Sequence, residues 1–312
     1  MAQPIEPDVH PFDQPNPLKD IDFSHLERSI LRPRTFLSSL LSVVVTAITL
    51  VAMVPLFAVV WMLVWRGGRN LSLAVFTQLP PAPLEPGGGF GNAIVGTIIM
   101  VLLASLISVP IGVLTAIYLA QTKEASRFAE IVRSTTKVLT GFPSILAGVF
   151  VYEVIVLNTG GYSAMAGGIA LSILMLPMIV LTAEDAIRMV PAKMRDAAIG
   201  MGATSTQTVW MVLLPTALPG ILTGVMLAVA RAAGETAPLI FTALFSNYWL
   251  ISQGKLDLHQ PTASLAVLIY NFSGMPFENQ VELAWAAALV LVLMVLITNL
   301  IGQSFSSRQV QQ

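Results

Sequence analysis

An arginine and a glutamate, four residues apart, stand inside one of the most apolar parts of the chain. The segment from Gly224 to Phe245 reads GVMLAVARAAGETAPLIFTALF, and Arg231 and Glu235 are its charged residues. A charged side chain in hydrocarbon costs about 2.5–3.5 kcal/mol on insertion scales. A guanidinium keeps its charge and offers a planar set of donors to an anion, and a nearby carboxylate can balance it. This spacing therefore has two interpretations. The pair either lines a path for an anion, or it is an i,i+4 ion pair that lowers the cost of inserting the helix into the membrane.

The composition of the chain indicates the class of protein in which this pair lies. Apolar residues make up 55% of the 312-residue chain and charged residues 11%, whereas soluble domains contain about 25% charged residues. The mean hydropathy is +0.78. The chain contains no cysteine, which excludes disulfides, thiolate metal sites and a cysteine nucleophile. The formal net charge of −1 gives no indication of nucleic-acid binding. We therefore expect an all-α integral membrane protein with no metal site.

Six apolar runs are long enough to span a bilayer, which requires about 20 residues of helix. The predicted spans are Phe36–Trp65, Ala93–Leu119, Val138–Leu157, Ala164–Thr182, Thr216–Leu244 and Val281–Ile301. Glu153 lies near the outer end of the third span, where its side chain can reach water.

The distribution of basic residues predicts the orientation of these spans. Of the sixteen lysines and arginines, three lie on one side (Arg66, Arg69 and Lys255), and Arg231 lies within a span. The other twelve lie in the terminal tails and in the second and fourth connections. Both termini are therefore predicted to be cytoplasmic. The predicted domains are a Pro-rich tail (1–35), a membrane domain (36–305) and a short cytoplasmic tail (306–312).

The connection after the fourth span, residues 184–215, contains the most specific pattern in the chain. It includes RDAAIGMGATSTQTVWMVLLP, in which Gly202 is placed to end one short helix and Thr204, with Gln207, to cap the next. The spacing is Asp-Ala-Ala, three residues, Gly, nine residues, then Val-x-Leu-Pro. It resembles the cytoplasmic loop of ABC-importer permeases, in which Glu replaces Asp and Ile replaces Val.

This resemblance implies the type I ABC importer permease fold, in which the short helix docks on a separate ATPase and transmits its closure. The implied coupling residues here are Arg195, Asp196, Ala197, Ala198 and Gly202. The sequence contains no G-x-x-x-x-G-K-[ST] motif. We therefore expect no catalytic residue and no bound cofactor in this chain, with ATP and Mg²⁺ used by the partner ATPase.

The stretches Leu218–Leu244, Leu139–Val149 and Gly87–Thr97 together are similar to phosphate-specific ABC permeases, of the PstA type. In that family the arginine and glutamate corresponding to Arg231 and Glu235 are implicated in phosphate transport, and Arg188 less directly. On a helical wheel at 100° per residue, Arg231 and Glu235 share a narrow stripe with Ala228 and the GxxxG pair Gly220 and Gly224. Because GxxxG permits close helix approach, the pair is predicted to face the protein interior or a partner subunit.

The resemblance also implies an assembly in a prokaryotic cytoplasmic (inner) membrane. Its expected members are a second, related permease forming a heterodimer with this chain, two ATPase copies, and a phosphate-binding protein on the outer face. Sulfate, molybdate or phosphonate are alternative substrates. An ion-coupled secondary transporter would also place charges within spans, but it would not explain the Asp-Ala-Ala loop. An intramembrane enzyme would require clustered acids or histidines, and the six predicted spans contain no histidine.

Overall fold

The computed structural model describes residues 33–122, 126–252 and 254–309. Most of the predicted amino-terminal tail therefore lies outside the described residues. The chain divides into two compact units, Met1–Val59 and Val60–Gln312. In the first unit, the side chains of residues 36–59 are all exposed on a continuous apolar helix. An apolar helix that packs on nothing within its own unit is suited to contact with lipid.

Most of the described residues are helical. The helices are α1 (Pro33–Met62), α2 (Leu73–Thr77), α3 (Gly91–Gln121), α4 (Arg127–Thr140), α5 (Ser144–Val151), α6 (Leu157–Thr159), α7 (Ala164–Arg188), α8 (Ala192–Gly200), α9 (Ser205–Thr208), α10 (Leu214–Ala233), α11 (Ala237–Thr242), α12 (Leu265–Ser273) and α13 (Glu278–Gln309). Three π-helical turns continue α1, α5 and α9, at Leu63–Gly67, Tyr152–Val156 and Val209–Leu213. Strands β1 (Ile251–Ser252) and β2 (Lys255–Leu256) form a short antiparallel hairpin.

In the second unit, α7 is the central helix. It packs against α3, α4, α5, α10 and α11. The core between α3, α7 and α10 is built from large apolar side chains, including Met100, Leu171, Met175, Ile179 and Ile221, all nearly inaccessible to solvent. A second core joins α12 and α13 to residues after the first span, through Phe90, Leu268 and Leu283.

Among the residues that the structure describes, five helical segments are long and apolar enough to cross a membrane. They are Phe36–Gly67, Gly91–Gln121, Ala164–Arg188, Ser205–Ala233 and Glu278–Ser304. Four of them agree with the predicted first, second, fourth and sixth spans to within a few residues at most ends. Each of these elements is an apolar run of at least 20 residues, which is the length that a bilayer requires, and this makes them predictable.

The predicted third span, Val138–Leu157, is wrong at its beginning. The chain breaks after Thr140, and the two flanking segments, Arg127–Thr140 and Ser144–Thr159, meet at an angle of 104°. Gly141 ends α4, and Pro143 disfavours helix in the residue before it while starting α5. The second segment is about 24 Å long, shorter than the hydrocarbon core of about 30 Å. The bent pair counts as a sixth span only if both segments are taken together.

The predicted fifth span, Thr216–Leu244, is displaced towards the amino terminus. Its helical segment begins at Ser205 and ends at Ala233. Gly234 follows as the carboxyl-terminal cap, and Pro238 stands in the first turn of the separate helix α11. Proline is favoured in the first turn of a helix, where its missing N–H has no helical partner, so Pro238 suits the start of α11. Arg231 consequently lies in the last turn of α10, and Glu235 lies beyond it.

Candidate substrate path and coupling segment

Arg231 and Glu235 form an ion pair across the end of α10. The Nε of Arg231 lies 3.4 Å from Oε1 of Glu235. Their side chains are 46% and 16% exposed, respectively. Within the described residues this is the hydrogen bond that the Arg231 guanidinium donates, so most of its five donors remain available. A cation in the last helical turn also interacts favourably with the helix dipole. The arrangement is a loosely neutralised arginine that retains donors for an anion.

The predicted stripe on α10 divides into a buried part and an exposed part. Gly220 and Gly224 face α7: a Cβ on Gly220 would lie 2.8 Å from Cβ of Ala186, and one on Gly224 would overlap the Thr182 side chain. Ala228 is also buried. The close helix approach expected from GxxxG therefore occurs within this chain, between α10 and α7.

Arg231 does not follow these small residues into the core. It extends an exposed row on α10 with Thr223 and Leu227, each four residues before the next. The sequence predicts that Arg231 faces either the protein interior or a partner subunit. In the structure Arg231 lies on the surface of this chain, which leaves the partner subunit. Since a guanidinium facing lipid is costly, this surface is suited to a polar path or a second subunit.

The segment predicted to dock an ATPase forms a helix, a glycine turn and a second helix. The backbone of Gly202 has φ +88°, a conformation that glycine adopts without steric cost. The N–H of Gly202 donates to the carbonyl of Ile199, and that of Ala203 to the carbonyl of Ala198. Thr204 and Gln207 then form the predicted capping box at the start of α9. The sequence pattern therefore predicted this local structure correctly.

The alanines of α8 do not all face outward. Arg195, Asp196 and Ala197 are exposed, whereas Ala198 is 3% exposed and buried against its own chain. Ala198, one of the implied coupling residues, is therefore placed to pack α8 against its own chain rather than on the exposed face of that helix. The surface that α8 offers consists of Arg195, Asp196, Ala197 and the neighbouring Ile199, which is also exposed.

A charged cluster that the sequence did not reveal lies directly before α8. Oε1 of the buried Glu184, in the last turns of α7, accepts hydrogen bonds from Nε and Nη2 of Arg133 on α4, at 3.0 and 2.8 Å. It also accepts one from Nε of Arg188 at 3.0 Å. These side chains line a cavity of about 470 Å³ together with Lys137 and Asp185. The i,i+4 spacing of Glu184 and Arg188 was visible in the sequence, but nothing in the sequence indicated the contact with Arg133.

Comparison with known proteins agrees with this architecture. Residues 108–311 match the family model described as binding-protein-dependent transport system inner membrane component. The chain is 41% identical over 255 residues to the phosphate transport system permease protein PstA of Haemophilus influenzae, covering 81% of this chain and 88% of that protein. It is 39% identical over 251 residues to PstA of Yersinia pestis, covering 80% and 83%.

Solved structures show the same fold at low sequence identity. A chain of a bacterial alginate ABC transporter in complex with a periplasmic protein superposes with a TM-score of 0.63 at 15% identity, over 90% of this chain and 98% of the other. A chain of the inward-facing MetNI methionine ABC transporter gives 0.55 at 20% identity, over 70% and 93%. The chain is a multi-pass inner membrane protein with the type I ABC importer permease fold. It belongs to the binding-protein-dependent transport system inner membrane components, among the PstA phosphate transport system permeases.

Proposed function

We propose that this chain is a membrane subunit of an ATP-driven importer and forms part of the path that carries inorganic phosphate into the cytoplasm. The names of its relatives support phosphate as the substrate. The observation that carries the proposal is the exposed Arg231 at the end of α10. Its guanidinium is held by one hydrogen bond of 3.4 Å and retains donors for a phosphate oxygen.

In this mechanism, phosphate and Glu235 alternately neutralise the positive charge of Arg231. Glu235 neutralises the guanidinium when the path is empty, and an arriving phosphate replaces it. Binding remains weak because the Arg231 side chain is 46% exposed and its guanidinium is shared between the anion and Glu235. Weak compensation suits transport, since a permanent strong site would slow release.

The proposed orientation places the coupling segment and both termini in the cytoplasm. Arg133, Lys137 and Arg188 line one cavity near the end of α7, and α8 with Arg195 follows directly. Arg66 and Arg69 lie instead beside the start of α13, at the opposite ends of the spans. Clustering of basic residues at one end supports a cytoplasmic location for that end.

The energy is proposed to come from two copies of a separate ATPase, which bind ATP and Mg²⁺ and contact α8 through Arg195, Asp196 and Ala197. A second, related permease is proposed to cover the Arg231 surface of α10 and so complete the path. A phosphate-binding protein is proposed to deliver the substrate at the outer face.

Transport by the assembled importer in liposomes tests this function. We expect uptake of radiolabelled phosphate that requires the ATPase, internal ATP and the binding protein. Excess unlabelled phosphate should abolish the signal, whereas sulfate, molybdate and phosphonate should leave most of it. Stronger competition by one of those anions would contradict phosphate as the substrate. Uptake driven by an ion gradient without the ATPase would contradict an ATP-driven importer.

A further inference from the structure

A polar cleft lies at the opposite end of the second unit from the coupling segment. It has a volume of about 440 Å³ and lies between the turn after α1 and the first turns of α13. Its charged lining consists of Arg66 and Arg69 on one side and Glu278 and Glu282 on the other. The remaining lining residues are Trp65, Asn70, Val281 and Trp285. The cleft is separate from the Arg231 surface and from the Arg133–Glu184 cluster.

Close backbone packing fixes the two sides of this cleft. A Cβ on Gly67 would lie 2.6 Å from the carbonyl oxygen of Trp285, so the π-helical turn Leu63–Gly67 rests directly on α13. On the same turn, Trp65 stacks on Trp61 with ring centroids 6.1 Å apart. The charged side chains therefore extend from rigid helical ends.

The two arginines are oriented by aromatic rings rather than by carboxylates. The guanidinium carbon of Arg66 lies 5.6 Å from the centre of the Trp285 ring, and that of Arg69 lies 5.2 Å from the centre of the Trp65 ring. In the part of the chain that the structure describes, neither arginine forms an ion pair with Glu278 or Glu282. Two cations and two anions thus share one cleft, and both sets keep hydrogen-bonding capacity for a ligand.

The cleft lies at the level expected for lipid headgroups. The helical segments Phe36–Gly67 and Glu278–Ser304 contain 32 and 27 residues, more than the roughly 20 needed to cross the hydrocarbon core. Their ends at the cleft therefore reach the interfacial layer. Tryptophans at such ends are typical of the membrane–water interface.

We propose that this cleft binds the headgroup of a zwitterionic phospholipid such as phosphatidylethanolamine. The phosphate is recognised by Arg66 and Arg69, and the ammonium group by Glu278 and Glu282. The four side chains have a net charge of zero, which matches a zwitterion and disfavours an anionic lipid. Inorganic phosphate shares the chemistry recognised by the arginines, but it would be repelled by the two carboxylates. The inference does not depend on the substrate that the protein transports.

Lipid retained by the assembled importer in mild detergent provides the test. Mass spectrometry would quantify phosphatidylethanolamine and phosphatidylglycerol per importer after extensive washing. We expect R66Q/R69Q to lower retained phosphatidylethanolamine at least about tenfold, because the loss of even one charge-assisted hydrogen bond has that effect. The control is K255Q, which removes an exposed cation that does not line the cleft, and it should retain lipid like the unmodified protein.

A second variant separates headgroup recognition from general damage to the fold. E278Q/E282Q removes two carboxylates of the cleft and should shift retention from phosphatidylethanolamine towards phosphatidylglycerol. Unchanged lipid content and selectivity in both double variants would overturn the proposal. Arginine-dependent binding of radiolabelled phosphate that added phosphatidylethanolamine does not displace would assign the cleft to free phosphate instead. If the double variants retained lipid normally but their transport were no longer stimulated by the binding protein, the cleft would be a protein-docking site. That result would also overturn the proposal.

Discussion

Arg133 contacts Glu184 through two hydrogen bonds to a single carboxylate oxygen, although the two residues are 51 positions apart in the sequence. The side chain of Glu184 is 5% exposed, and Arg188 contacts the same oxygen. The contact joins α4 to the end of α7, immediately before α8, the helix that we propose to contact the ATPase. Under that proposal, a displacement of α8 would be transmitted to α4 through this contact.

Removing Arg133 should lower the stability of the protein and weaken the coupling of ATP hydrolysis to phosphate uptake. We expect R133M to lower the free energy of unfolding by about 1–3 kcal/mol, below the full cost of breaking a buried pair because Arg133 is partly exposed and Arg188 remains. The ATP consumed per phosphate imported should rise. R127M on the same helix is the control, because Arg127 lies outside this cluster. Thermal unfolding and coupled uptake of the assembled importer provide the measurements, and equal behaviour of the two variants would argue against the role of Arg133.

The two neighbouring alanines of α8 should respond differently to a bulky side chain. A197W places the indole on the exposed face, so we expect loss of ATPase binding with normal membrane insertion. A198W forces the indole into a buried position and should destabilise the loop itself, by about 1–3 kcal/mol. Pull-down of the ATPase and limited proteolysis of the loop distinguish the two effects. Normal ATPase binding by A197W would rule out this face as the docking surface.

Close contact between α10 and α7 predicts a compensating pair of substitutions. G224A introduces a Cβ that overlaps the side chain of Thr182, and we expect a loss of about 1–3 kcal/mol in stability from overpacking. T182G removes the overlapping atoms, so the double variant G224A/T182G should be more stable than the sum of the two single changes predicts. Unfolding of the four proteins in detergent gives the coupling energy. If the two substitutions changed the stability additively, the Cβ at position 224 would not clash with Thr182, and the close contact between α10 and α7 would be contradicted.

The turn between α8 and α9 requires a left-handed backbone at Gly202. We expect G202A to destabilise the turn by about 1 kcal/mol, and G202N to cost less because asparagine tolerates this conformation better. Proteolytic cleavage rates within residues 192–208 would measure the opening of the turn. If both variants were cleaved at the rate of the unmodified chain, the turn would not depend on this conformation.

The sequence was sufficient for elements determined by local residues. Unbroken apolar runs predicted four spans closely, and the capping residues Thr204 and Gln207 predicted the start of α9. The predicted fifth span extends too far because hydropathy alone does not show that α10 ends before Gly234 and that α11 starts at Ala237. In the same way, the predicted third span runs across Gly141 and Pro143, which separate two helices in the structure.

Features that depend on packing between distant segments could not be predicted. The contact between Arg133 and Glu184 requires the relative rotation of α4 and α7, which no local pattern specifies. The burial of Ala198 depends on how the glycine turn folds back on α8. The helical wheel grouped Arg231 with Gly224, but a residue at the edge of a packed stripe is exposed or buried according to a small rotation of the helix.

Phosphate uptake by variants of Arg231 in the assembled importer tests the central claim most directly. R231A and R231K would be compared at equal amounts of inserted, ATPase-bound importer. We predict that R231A loses about 100-fold in uptake, the effect expected from a charge-assisted contact of up to about 3 kcal/mol. R231K, which keeps the charge but not the planar donors, should retain an intermediate rate. Normal phosphate uptake by fully assembled R231A would contradict the account.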